Sequence, residues 1–193
     1  YLRRKSIPIA LFKNLYDDDI TKIVQNIPKN VEIGINSDNT QVPRIITLDE
    51  ELACLLGYYT AEGFTRKTSD DNRGENTTGV RQVDFAATET QARDFIQKTL
   101  RKKFTVENPY TDDKRITASG TLITYVFERI IDSGRLAHTK EVSELIKNNS
   151  IDIKGAYLSG YISGDGSNSS PSNQSWNRIG VWSFGVSCHK FNF

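Results

Sequence analysis

Two acidic residues, Glu62 and Asp165, occupy the same position in a short sequence that occurs twice. Residues 55–63 (LLGYYTAEG) align without gaps on residues 158–166 (LSGYISGDG), with a constant offset of 103 positions. Four of the nine positions are identical and three more carry close substitutes, the two acids among them. A repeat at this spacing is typical of a duplicated structural unit. The matched carboxylates are therefore the first candidates for chemistry.

Small residues recur every fourth position in both copies of the repeat. These stripes are Ala53, Gly57 and Ala61 in the first copy, and Ala156, Gly160 and Gly164 in the second. A glycine inside a helix costs about 1 kcal/mol relative to alanine, so its matched recurrence needs a compensating role. Small residues at this spacing let two helices approach closely. The stripes predict two helices packed side by side about a pseudo-two-fold axis.

This packing would bring Glu62 and Asp165 together at the C-terminal ends of their helices. A helix C-terminus already carries partial negative charge, and two carboxylates some 5 Å apart add repulsion of roughly 3 kcal/mol at an effective dielectric near 20. A divalent cation would relieve both effects. The free carbonyls of Ala61 and Gly164 would add oxygen ligands, and such an all-oxygen set suits Mg²⁺. The alternative is that both acids simply precede helix-ending turns.

The first of these helices is predicted to begin at Thr47. The residues Thr47 to Glu50 fit a capping box, and Gly63 ends the helix. Apolar side chains follow the helical spacing i, i+3, i+4, i+7 and are predicted to form the core of the first unit; they are Leu52, Leu55, Leu56 and Tyr59.

The rest of the chain alternates short strands and helices. We predict strands at 64–68, 80–88, 104–107, 115–119 and 178–187, and helices at 89–103, 121–131, 139–147 and 151–166. The resulting order αββαββα is typical of an α+β unit. The predicted organisation is an N-terminal extension (1–46), a first unit (47–150) and the start of a second unit (151–193) that the chain does not complete.

Composition narrows the class of protein. The chain has 193 residues and a formal net charge of +1, so any nucleic-acid surface must be a local patch. No apolar run approaches the roughly 18 residues of a membrane span, and no signal peptide is recognised at the first residues. Cys54 and Cys188 do not form a disulfide framework or a zinc site. We expect a soluble, intracellular protein without a membrane partner.

The two repeated segments resemble the paired dodecapeptides of the LAGLIDADG homing endonucleases, and the match is closest to the forms found inside inteins. The resemblance covers about residues 48–193. It implies a saddle-shaped, pseudo-symmetric sheet platform that straddles double-stranded DNA, with the two motif helices at its centre. The expected activity is a Mg²⁺-dependent, site-specific double-strand break by phosphodiester hydrolysis.

The same resemblance implies roles for individual residues. Glu62 and Asp165 would be catalytic and would bind Mg²⁺, and the carbonyls of Ala61 and Gly164 would join the metal. A lysine near the metals is common in this family, and Lys67 and Lys114 are the candidates here. Because the family needs two complete halves, full activity is expected to require the missing part of the second repeat.

The expected DNA contacts lie on strands and on one basic helix. Arg66, Arg81 and Gln82 would offer donors to base edges in the major groove. Lys102 and Lys103 end the densest basic segment and would hold phosphates. The alternative for that segment is a solvated helix face.

Two other functions remain open from the sequence. One is a DNA- or RNA-binding regulator or splicing helper on the same scaffold without catalysis. The other is a small metal or Ca²⁺ module using the loop at residues 165–167, although acids at EF-hand spacing are missing. Two crowded carboxylates favour the endonuclease, since a pure binder has no use for them.

Overall fold

The computed structural model of the chain describes residue 22, residues 25–35, 38 and 40–67, and residues 81–165. These residues form an α+β structure. Its elements in chain order are β1 (Glu32–Ile33), β2 (Val42–Pro43), α1 (Glu50–Glu62), β3 (Gly63–Lys67), β4 (Arg81–Ala86), α2 (Thr90–Phe104), β5 (Tyr110–Thr111), β6 (Arg115–Ser119), α3 (Thr121–Tyr125), a π-helical segment (Val126–Ile131), a 3₁₀ turn (Ala137–Thr139), α4 (Glu144–Lys147) and α5 (Ile151–Asp165). The order αββαββα predicted for the first unit is confirmed by α1 to α3.

Strands β3 to β6 form an antiparallel sheet in the order β3-β4-β6-β5. Successive side chains of a strand point to opposite faces, so Val83 and Phe85 of β4 face the helices and are buried. Gln82 and Asp84 lie on the other side, which we call the open face. Glu62 ends α1 and Gly63 begins β3, so helix and strand follow each other without a loop.

Aromatic rings fill the space between the sheet and the helices. Tyr59 of α1 packs on Phe127, with ring centroids 4.9 Å apart, and edge-on to Phe85 of β4 at 6.0 Å. Phe104 of α2 reaches Phe127 at 5.4 Å. All four side chains are almost completely buried, and such pairs add about 0.5–1.5 kcal/mol each beyond area burial. This core holds α1 against the sheet.

The predicted capping box at Thr47 is wrong. The helix begins at Glu50, and the side chain of Asp49 accepts a hydrogen bond of 3.0 Å from the Leu52 amide. Asp49 also pairs with the ammonium of Lys103. Burial alone would raise the pKa of Asp49, but the hydrogen bonds from Lys103 and from the Leu52 amide outweigh it and lower the pKa. Asp49, and not Thr47, is therefore the cap residue of α1, and its carboxylate has a second partner in Lys103.

Replacing Asp49 by alanine is expected to lower the free energy of unfolding by about 1 kcal/mol at pH 7. Because the pKa of Asp49 is lowered on folding, its contribution is present above the ordinary value of 3.8 and is lost as the pH falls through the folded-state pKa. The gap between Asp49→Ala and the unsubstituted protein should therefore close in strong acid. Urea titrations at several pH values measure it.

Thr47→Ala is the matched control for Asp49→Ala. It should leave the free energy of unfolding unchanged, because Asp49 and not Thr47 makes the cap hydrogen bond. A larger loss for Thr47→Ala than for Asp49→Ala would contradict this assignment.

The predicted strand at 104–107 is also wrong. Phe104 is the last residue of α2, and its side chain is fully buried. Thr105 ends the helix with a left-handed φ of 53°, and the edge strand β5 follows only at Tyr110. An apolar residue that anchors the last turn of a helix was mistaken for the first residue of a strand.

The helix predicted at 121–131 changes its winding at Val126. Beyond α3 the chain forms the π-helical segment, in which residues five apart align. This winding directs Val126, Phe127 and Ile131 together into the core, where all three are buried. The helix predicted at 139–147 is shorter as well. It begins at Glu144 after the cap residue Ser143, and only a 3₁₀ turn precedes it.

Residues 40–46 pack on the first unit. Val42 of β2 is 3% exposed and belongs to the same core as α1 and the sheet, with Ile46 packed against it. The Thr105 hydroxyl donates to the Gln41 carbonyl at 2.8 Å. The strand predicted at 178–187 lies outside the described residues. Within the part of the chain that the structure describes, no helix is both long and apolar enough to span a membrane.

Candidate functional site

Helices α1 and α5 pack with their main chains in contact. A β-carbon added at Gly57 would overlap the Tyr157 carbonyl oxygen and lie 2.6 Å from the Tyr161 nitrogen. A β-carbon added at Gly160 would overlap the Cys54 carbonyl oxygen. Neither position has room for a side chain. The close approach predicted from the small-residue stripes is confirmed.

The two helices run in the same direction. Gly57 lies against the turn of α5 around Gly160, and one turn further on a β-carbon at Gly164 would lie 2.8 Å from Ala61 Cβ. The residues that directly precede the two acids are therefore in contact. Glu62 and Asp165 are the last residues of α1 and α5, and both are exposed at the same end of the pair.

The bulky residues of the two copies differ in their surroundings. In α1, the predicted core residues are buried as expected; they are Leu52, Leu55, Leu56 and Tyr59. The repeat pairs Leu55 with Leu158 and Tyr59 with Ile162. Leu158 is 50% exposed and Ile162 is 52% exposed. The first copy thus packs on its own sheet, while the matching face of α5 is open among the described residues.

Lys140 lies at the C-terminal end of α1. Its ammonium donates hydrogen bonds to the carbonyl oxygens of Thr60 at 2.9 Å and Tyr59 at 3.0 Å, and to that of Ala61 at 3.4 Å. The ammonium also lies 5.7 Å from the centre of the Tyr59 ring. Burial lowers the pKa of Lys140, and the Glu62 carboxylate opposes that effect. A cation therefore contacts the carbonyl end of the first motif helix beside its acid.

The loop from Ser133 to Lys140 holds this lysine in place. Gly134 has a φ of +80°, and a β-carbon there would lie 2.6 Å from the Thr139 carbonyl carbon, so both conformation and space favour glycine. The Tyr59 hydroxyl donates to the Gly134 carbonyl at 2.8 Å. Burial raises the pKa of Tyr59 to about 12, so this hydroxyl keeps its proton at neutral pH.

Sequence reasoning missed Lys140. It lies between the two repeats along the chain, in neither of them and in no motif. The two lysines proposed instead are placed differently. Lys67 is the last residue of β3 and pairs with Arg81 across the ladder. Lys114 is exposed in the turn before β6, two strands away from β3.

The oxygen atoms at this end of the helix pair are of the kind that a hard cation prefers as ligands. They are the carboxylates of Glu62 and Asp165 and the last main-chain carbonyls of the helices, such as that of Ala61. The Lys140 ammonium is a stand-in cation on three carbonyls of α1. The described residues contain no group of three or more His, Cys, Asp or Glu side chains that could hold a metal. Two carboxylates with carbonyls fit Mg²⁺, which keeps several waters.

Polar side chains line the open face of the sheet. Arg66 and Gln82 are paired in register, and the Gln82 amide donates to the Ser119 hydroxyl at 3.1 Å. Asp84 is completely buried there; the Arg66 guanidinium lies 3.0 Å from it, and the Thr117 hydroxyl donates to it. The ion pair with Asp84 fixes the orientation of the Arg66 side chain, which is 36% exposed. Arg66 is four residues after Glu62, so the two positions are about 13 Å apart along strand β3.

Arg81 does not join Arg66 and Gln82. It alternates with Gln82 along β4, so it lies on the helix side of the sheet, 3.9 Å from the Glu128 carboxylate. Glu128 also accepts from the Thr65 hydroxyl at 2.8 Å and pairs with Arg135 at 3.0 Å. The strict alternation of β4 was the signal in the sequence that separates Arg81 from Gln82.

Lys102 and Lys103 lie at the opposite end of α1 from Glu62. Lys102 pairs with Glu51 and Lys103 with Asp49, both near the helix N-terminus. That end is about 18 Å from Glu62. The two lysines pair with acids at the start of α1 and at its cap, and the structure does not bring them to the open face.

Comparisons with known proteins found two relatives of low identity. A DNA polymerase II large subunit of Haloquadratum walsbyi is 26% identical over 165 residues, which is 84% of this chain and 7% of that protein. An uncharacterized protein of Methanocaldococcus jannaschii is 28% identical over 143 residues, 72% of this chain and 15% of that protein. The chain thus spans only a small part of either relative. No family model matches the chain.

Proposed function

We propose that this chain is part of a Mg²⁺-dependent, site-specific DNA endonuclease of the LAGLIDADG type, with two motif helices at the centre of a pseudo-symmetric saddle. One observation carries the proposal: α1 and α5 pack in parallel through matched glycines, with one acid from each helix at the same end. Two like charges at helix C-termini are unfavourable for folding. A function that needs both of them explains their position.

Glu62 and Asp165 would hold the ion in this proposal, together with the carbonyls of Ala61 and Gly164. A Mg²⁺ held there would supply an activated water for attack on phosphorus and would neutralise charge on the phosphate oxygens. The open face supplies the DNA contacts. Arg66 and Gln82 lie on the face of the sheet away from the helices, and hydrogen bonds from such side chains to base edges in the major groove would give sequence specificity.

The comparisons are compatible with an element carried inside a host protein. The matched segment of 165 residues is 7% of a DNA polymerase subunit, and intein-type endonucleases are such inserts. The intein context, the double-strand break and an intracellular location are parts of this same proposal.

The proposal is tested with a plasmid library of random target sites. The full-length protein that contains this chain, with both repeats, is incubated with the library with Mg²⁺ or with EDTA, and linearised and nicked plasmids are sequenced. We expect cleavage at one preferred site, only with Mg²⁺. Binding of a preferred site without nicking would instead support a catalytically inactive DNA-binding protein, and the absence of both would overturn the proposal.

A further inference from the structure

The carbonyl end of α1 already has a cation in the structure. The Lys140 ammonium is half-buried and touches three successive carbonyl oxygens of the last helical turn. A positive charge at a helix C-terminus is favourable. Lys140 therefore offsets part of the negative charge at the C-terminal end of α1 before any metal is present.

The three contacts are unequal. The bonds to Thr60 and Tyr59 are 2.9 and 3.0 Å long, whereas the contact to Ala61 is 3.4 Å. The Ala61 carbonyl is also the one proposed as a metal ligand. An ammonium and a divalent cation on one oxygen repel each other strongly. A lysine side chain has a flexible four-carbon stem, so its ammonium can leave the longest contact and keep the other two.

We propose that Lys140 is a positioning residue that acts as the resident cation of this site. Its ammonium stabilises the end of α1 in the metal-free protein and gives up the Ala61 carbonyl when Mg²⁺ binds. Lys140 and Mg²⁺ therefore compete for the Ala61 carbonyl, and each weakens the binding of the other at this site. This inference rests on the proposed function, because it requires Glu62 and Ala61 to be metal ligands.

The test is calorimetric titration of the full chain with Mg²⁺, without DNA, together with thermal unfolding. Lys140→Met removes the charge and keeps the length of the side chain. We expect the midpoint of unfolding without metal to fall by about 2–8 °C, because the three carbonyls lose their donor. We expect the Mg²⁺ affinity to rise about ten-fold, because the competing charge is gone. A purely structural lysine would show the first effect without the second.

Two variants control the experiment. Lys147→Met makes the same change of net charge at an exposed lysine paired with Glu144, and should leave the Mg²⁺ affinity unchanged. Glu62→Gln should weaken Mg²⁺ binding and so identifies the site being titrated. If Lys140→Met does not fold, Lys140→Gln keeps a donor for the carbonyls without the charge and should show the same gain in affinity.

The outcomes separate the two proposals. Mg²⁺ binding that depends on Glu62 but is equal in Lys140→Met and the unsubstituted protein would overturn the competition alone and leave the proposed function standing. A lack of Glu62-dependent Mg²⁺ binding in every variant would overturn the metal site of the proposed function, and the competition with it.

Discussion

Asp165→Asn is expected to lower the rate of DNA cleavage by about 10³-fold or more while DNA affinity stays within about three-fold. The amide has the shape of the carboxylate but neither its charge nor its strength as a Mg²⁺ ligand. Glu62→Gln should behave in the same way, because the two acids end matched helices. Cleavage is measured on the preferred site and affinity by a gel-shift titration without metal.

The stability of Asp165→Asn distinguishes a functional acid from a structural one. Removing a negative charge from a helix C-terminus relieves repulsion with the dipole, so the free energy of unfolding should stay the same or rise by about 0.3–1 kcal/mol. Asp152→Asn is the matched control, because Asp152 is an exposed acid in the first turn of the same helix. Cleavage by Asp165→Asn at the rate of Asp152→Asn would refute the catalytic role.

Gly57→Ala is expected to lower the free energy of unfolding by about 3 kcal/mol or more. The added methyl group would occupy the place of the Tyr157 carbonyl oxygen, so α1 and α5 must move apart along their whole contact. The gain in helix propensity, up to about 1 kcal/mol, does not offset that loss. Urea unfolding of the full chain measures the change.

Gly155→Ala provides the control for Gly57→Ala. Gly155 is also a helical glycine, but it is partly exposed on α5, so alanine there should be neutral or stabilising by up to about 1 kcal/mol. If Gly57→Ala is as stable as Gly155→Ala, the helices do not meet at Gly57, and the acids lose the packing that brings them to one end.

The helix pair was predictable because its signal is local and repeated. Glycine at matched positions inside two helices has few explanations other than close contact, and the structure has that contact at Gly57 and Gly160. Strand β6 was predicted with its observed bounds, since alternating side chains mark it clearly. The prediction failed where a residue type fits two environments. Phe104 fits the start of a strand in the sequence, but its side chain anchors the end of α2.

The lysine at the candidate site was not predictable from the sequence. Lys140 reaches α1 at the end of a loop in which Gly134 has a positive φ and the Tyr59 hydroxyl donates to the Gly134 carbonyl. These contacts join residues 75 positions apart along the chain. Long-range contacts of this kind leave no periodicity or spacing in the sequence. Arg81 was different, because the alternation of β4 was sufficient to assign its face.

Main-chain contact between α1 and α5 has an evolutionary consequence. Where backbones touch, as at Gly57 and Gly160, the distance between the two helices is set by the main chain and does not depend on side chains outside the contact. Mutations that alter Arg66, Gln82 or their neighbours on the sheet leave that distance unchanged. A lineage built on this scaffold can therefore vary the residues of the sheet and keep the packing that places Glu62 and Asp165 at one end of the helix pair.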